Sequence, residues 1–111
     1  MYGARFDVRD MLDRVLIYVR QVVGPYCGGP EEGDQLRAYL ETIWDRYEMI
    51  QLNFLGVETT SFRFFYQAFG PLVRHYSLEG ARAKLRFFEL SHTEEFWLNR
   101  AIRYSLGPGE A

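Results

Sequence analysis

Apolar positions recur at three- and four-residue spacing along most of the chain, the period of a helix with one buried face. Asp7 can cap a first helix on which Val8, Met11, Leu12, Val15, Val19, Val22 and Val23 share one side, until Gly24-Pro25 interrupts them. Residues 24–33 carry four glycines and two prolines and read as one exposed loop. Asp34 then caps a second predicted helix, where Leu36, Leu40, Ile43, Tyr47, Ile50 and Phe54 form a narrow 4-3-4-3-4 stripe that Gly56 ends. A third helix, capped by Thr59, Thr60 or Ser61, presents Phe62, Phe65, Tyr66, Phe69, Leu72, Val73 and Tyr76, and Gly70-Pro71 should kink or split it.

Ser77 can cap a fourth helix through Leu78, Ala81, Leu85 and Phe88, and Ser91-x-x-Glu94 is a capping box for a fifth. Glu94 and Glu95 in its first turn and Arg100 and Arg103 near its end complement the helix dipole. Gly107-Pro108-Gly109 closes the pattern and leaves 107–111 as a flexible tail. No sustained period-two alternation and no Asn-Gly or Asp-Gly hairpin signal is present. The expectation is an all-α fold: a compact bundle of about five helices in a single domain, 1–111.

Composition agrees with a globular chain, 48% apolar and 25% charged, but nine Phe, eight Tyr and two Trp exceed what so small a core requires. The surplus has a pattern. On the third helix Phe64, Ala68, Pro71 and His75 make a second row on the side away from the first, and on the fourth Ala83, Phe87 and Leu90 do the same. Either one of these helices is central and buried on both sides, or an exposed row serves a partner. On the second reading, Phe64, Ala68, Pro71, His75 and Phe87 are the candidate partner-binding residues.

The formal net charge is −2, with ten acids against six arginines in residues 1–60 and five acids against seven bases thereafter. Neither half has the basic footprint of a strong nucleic-acid binder. Asp34, Glu41, Asp45 and Glu48 lie opposite the apolar stripe of the second predicted helix, as a strip for a basic groove or as an ordinary solvated face. Cys27 is the one cysteine, so no intramolecular disulfide can form and the chain suits a reducing cytosol. The run Val15 to Val19 is too short for a signal-peptide core or a membrane span. A cytoplasmic monomer or homodimer without a membrane partner is expected.

Candidate chemistry is sparse. The glycine-rich loop lacks the Gly-Lys-Ser/Thr ending of a phosphate loop, and Glu31, Glu32 and Asp34 would repel a phosphate there. Cys27 with His75 or His92 has no local signature of a catalytic pair. Glu89-x-x-His92 has di-iron spacing but occurs once where two copies are needed, and His75 with Glu79 is a common surface pair. Arg63 beside Phe64 to Tyr66, and Arg86 beside Phe87 and Phe88, pair cations with aromatics as single-strand binders do, yet helical neighbours do not share a face. No catalytic, cofactor-binding or metal-binding residue is assigned.

A mildly acidic chain of 111 residues with one cysteine and no catalytic motif resembles, in size and composition, the small anti-CRISPR inhibitors encoded by phages and prophages. That resemblance implies a non-catalytic protein-binding module that occludes a surface of a CRISPR effector, either its nuclease-helicase or its DNA-recognition complex. The alternatives are a small helical regulatory or nucleic-acid-associated protein and, third, a metal- or Cys-dependent enzyme.

Overall fold

In the computed structural model, residues 13–107 are described, and within them the expected all-helical bundle gives way to a mixed α/β fold with two parallel sheets. The strands are β1 (Arg14–Tyr18), β2 (Tyr26–Cys27), β3 (Met49–Asn53), β4 (Thr59–Thr60) and β5 (Leu85–Phe88). The helices are α1 (Val19–Val23), α2 (Pro30–Ile43), α3 (Phe62–Tyr76), α4 (Leu78–Lys84) and α5 (His92–Leu106), with a 3-10 turn over Trp44–Arg46. The main sheet has the order β1-β3-β5, and β2 pairs with β4 in a second, two-stranded sheet.

Three helical expectations fail for one reason each. The first predicted helix contains Val15, Leu16, Ile17 and Tyr18, a short run rich in β-branched and aromatic residues that packs better on a pleated surface than on a helix. Only Val19–Val23 of that stretch is helical, and Asp7 to Leu12 lie outside the described residues. The second helix stops at Ile43; Ile50, Leu52 and Phe54 continue the apolar series at period two and are all buried. The fourth helix ends at Lys84, after which Leu85–Phe88 is strand until Glu89, at φ 63°, turns the chain away.

The remaining expectations land closer. The third helix runs unbroken from Phe62 to Tyr76 through Pro71, so it is not split. Ser61 caps it by accepting from the Phe64 N–H at 3.1 Å. The capping box of the fifth helix is present, with Ser91 accepting from the Glu94 N–H and Glu94 from the Ser91 N–H. Residues 24–33 are more structured than a loop: they contain β2 and the start of α2, whose first residue is Pro30, where the missing N–H costs nothing. Of the expected tail, residues 108–111 lie outside the described residues.

Register decides what the sheet exposes. Val15, Ile50 and Leu85 stand side by side, as do Ile17, Leu52 and Phe87, and all six belong to or pack against the buried core. The helices cover that face, with α3 lying between α2 and α5. Two glycines permit the close approach: a Cβ on Gly33 of α2 would sit 2.6 Å from the Phe64 carbonyl oxygen, and one on Gly70 of α3 would collide with Ser105 of α5. The central α3 is therefore apolar on two sides because it is buried on two sides.

Candidate functional site

The first partner-binding candidates from the sequence turn out to be core. Phe64 and Ala68 are fully buried, with the Phe64 ring edge-on to Phe65 at 5.2 Å and to Phe54 at 6.5 Å. Neither offers a surface to a partner, because α2 covers the row that the sequence left open. Pro71 and Phe87 are half-buried, and His75 is exposed near the end of α3, edge-on to Tyr76. The five residues do not form one exposed row.

The acidic strip also divides. Asp34 is not a cap but sits within α2, where its Oδ1 accepts from Arg37 Nη1 at 2.8 Å and from Gln67 Nε2 at 2.9 Å. Those two hydrogen bonds, the one from Arg37 foremost, hold its carboxyl below the usual value. Arg37 also donates to the Gln67 carbonyl at 2.9 Å and reaches toward Glu41 at 4.0 Å. The cluster joins α2 to α3. Asp45 lies in the 3-10 turn and Glu48 just before β3, both exposed and off the helix that was to align them.

Cys27 is a free thiol, but fully buried on β2 and not in an exposed loop. Burial, with Glu32 and Glu94 adding negative potential, pushes its pKa up to about 12, so the thiol stays protonated near neutrality. His75 cannot serve it as a base: Cys27 pairs beside Thr60 at the start of α3, and His75 stands at the other end, about 20 Å along the helix. His92 is exposed at the first position of α5. Among the described residues no group of three or more His, Cys, Asp or Glu side chains is placed to hold a metal ion, and no helix is long and apolar enough to cross a membrane.

What the sequence missed is the sheet face on the side away from the described helices. Strand alternation puts Arg14, Leu16 and Tyr18 of β1, Met49, Gln51 and Asn53 of β3, and Phe88 of β5 on the side away from the helices, while the Arg86 side chain, at the sheet edge, turns back to the carbonyls at the end of α4. Leu16 is 47% exposed, Tyr18 37% and Phe88 43%, and Leu16 and Tyr18 share a shallow pocket with Gln21 and Val22 of α1 and Tyr39 of α2. The central strand contributes amides, and Asn53 Oδ1 accepts from the Leu55 N–H at 2.8 Å. Among the described residues no acidic side chain is on this face. Parallel sheets are ordinarily covered on both sides, which makes three large apolar side chains in water on one of them a feature to explain.

A second feature adjoins β5 on the helix side. A groove of about 490 Å³ runs between α4 and α5 along that edge strand, floored by Leu85 and Phe87 and walled by Leu78, Ala81, Leu98 and Ile102. Its charged rim is Arg82 and Arg86. Arg86 Nη1 donates to the carbonyls of Arg82 at 2.6 Å and Leu85 at 3.0 Å, folding the guanidinium over the end of α4.

Comparison with protein families, with curated protein sequences and with solved structures finds no match.

Proposed function

We propose that this chain is a non-catalytic protein-binding module, acting in the cytoplasm, that occludes a surface of its partner through the open face of its main sheet. The observation that carries this reading is the exposed trio Leu16, Tyr18 and Phe88 on a sheet face to which the described strands contribute no acid. Large apolar and aromatic side chains gathered on one face gain most from being covered by another protein. The buried, protonated thiol of Cys27 argues against the cysteine-dependent alternative, since the one cysteine is held in its less nucleophilic form. The resemblance in size and composition to anti-CRISPR inhibitors supplies the partner class, a nuclease-helicase or DNA-recognition component of a CRISPR effector.

The test adds the purified chain, wild type or Leu16→Asp, to such effector complexes and measures both complex formation by gel filtration and target-DNA binding or cleavage. Stoichiometric association that blocks the effector, and that Leu16→Asp abolishes, is the expected result. Association unaffected by Leu16→Asp would refute the face, and absence of association across effector types would refute the partner class.

One observation favours a second reading. Tyr18 and Phe88 flank Asn53, with Gln51 two residues along the same strand, and aromatic rings beside amides on a sheet are how some folds hold single-stranded nucleic acid. A salt-dependent mobility shift with oligonucleotides, lost in Tyr18→Ala, would establish that reading instead.

A further inference from the structure

The open face leaves the edge of β5 that no described strand pairs, and the apolar groove beside it, without a role. We infer that this edge and groove form a separate binding site for an extended, acidic peptide segment of a partner, which adds as a strand beside β5.

The backbone supplies the first argument. The Phe54 N–H donates to the Phe88 carbonyl at 3.0 Å, and in register Arg86 and Phe88 stand opposite Gln51 and Asn53. Along a strand, backbone groups point alternately to the two neighbours, so Arg86 and Phe88 face β3 while Leu85 and Phe87 face outward. Of the outward pair, the Leu85 N–H is taken by the Ala81 carbonyl and the Leu85 carbonyl by Arg86. That leaves the N–H and C=O of Phe87, at a half-buried residue, with no partner among the described residues. One donor and one acceptor on a single edge residue are what an incoming strand engages.

The groove supplies the second argument. A strand laid along β5 points every other side chain to the helix side, into the space between α4 and α5 bounded by Leu78, Ala81, Leu98 and Ile102. At about 490 Å³ it falls within the size range of specific binding pockets. Charge supplies the third. The charged groups lining the groove are Arg82 and Arg86, with no acid among them, so the side chains between the apolar anchors should carry carboxylates.

The experiment titrates the full chain into fluorescein-labelled synthetic nonapeptides and reads anisotropy. One set alternates Val, Leu or Phe with Asp or Glu, a second replaces the acids by Lys, and a third scrambles the alternation. Saturable binding of the first set is expected, about tenfold tighter than the second, because exchanging carboxylate for ammonium turns attraction into repulsion at the rim. Arg82→Glu, at an exposed position of α4, should abolish that preference, because the rim then carries one charge of each sign. Exchange of the Phe87 amide, followed by NMR, should slow when the acidic peptide saturates.

Equal affinity for acidic and Lys peptides, no saturable binding by any set, or unchanged Phe87 exchange would overturn the proposal. So would a dimer in sedimentation that Arg82→Glu dissociates, since the occupant would then be a second copy of this chain. Leu16→Asp, on the opposite edge strand, should leave peptide affinity within about twofold, so failure of the open-face reading and failure of this one are told apart.

Discussion

Phe64→Ala separates a buried central α3 from an exposed one by energy alone. The side chain is fully buried, its ring meets Phe54 and Phe65 edge-on, and its backbone carbonyl lies against Gly33 of α2. Truncating a packed Phe removes its transfer free energy and leaves a cavity that two neighbouring helices and the sheet prevent from closing, at a cost of about 3–5 kcal/mol. For a domain near this size that is a lowering of Tm by roughly 12–20 °C, and a large share of a total stability of about 5–15 kcal/mol. Phe88→Ala is the matched control: the same chemical change, on the open face, should stay within about 0.5 kcal/mol. Urea unfolding followed by circular dichroism at fixed pH measures both, and equal m-values would show that the midpoints report stability. If Phe64→Ala cost no more than Phe88→Ala, the placement of α3 between α2 and α5 would be wrong. If Phe88→Ala cost as much as Phe64→Ala, the sheet face would not be open.

Gly33→Ala should destabilise by about 1–3 kcal/mol despite the better helix propensity of alanine, because the new Cβ meets backbone at Phe64 that cannot move aside; denaturant titration checks it. Native Cys27 should react with a thiol reagent at mildly alkaline pH on the order of a thousandfold more slowly than in urea, since raising the pKa from 9.0 to about 12 reduces the thiolate by that factor; fast labelling of the folded chain would contradict its burial. Asp34 has its pKa lowered by Arg37 and then Gln67, so its contribution to stability is present above the ordinary carboxylate pKa and is lost as pH falls through the lower folded value. The stability gap between wild type and Asp34→Asn should therefore narrow on acidification below about pH 4, and a gap that stays constant would exclude a charged Asp34 as its source.

Helix α3 was legible because it sustains its apolar period and begins at a serine cap, and α5 because its Ser91 capping box and its acidic first turn and basic last turn mark its ends. The strands were not, because each is short enough to fit inside a helical stripe. Ile50 and Phe54 are four apart and satisfy the helical period, while Ile50, Leu52 and Phe54 satisfy the period of a strand; five residues are too few for pattern alone to decide. The signals that could have decided were the β-branched run at Val15 to Val19 and the apolar pair Leu85 and Phe87 across Arg86. The missing hairpin turns argued against antiparallel pairing only. Parallel strands are joined by helical crossovers and leave no Asn-Gly or Asp-Gly behind. Without the strands the face they build is not legible, and the second apolar row of Phe64 and Ala68 belongs to the core.

The open face follows from the topology. Strands added in the order β1-β3-β5, each parallel to the last, are connected by crossovers of one hand, and such crossovers stack their helices on one side of the sheet. Buried Ile50 and Leu52 against half-exposed Met49, Gln51 and Asn53 on the same strand show that this happened here. The other side then depends on what its residues can tolerate in water. Gln51 and Asn53 are polar and Arg14 is charged, but Leu16, Tyr18 and Phe88 each keep more than a third of their surface exposed. Covering apolar area is worth roughly 25 cal/mol per Å², so a surface that covers these three together gains several kcal/mol that single exposed residues scattered over the molecule could not supply. The two edge strands place Leu16 and Tyr18 on one margin and Phe88 on the other, with the amides of β3 between them. A partner that fits must therefore be apolar at two separated points and polar in the middle, which is a test of shape and chemistry that a merely sticky surface would not pass.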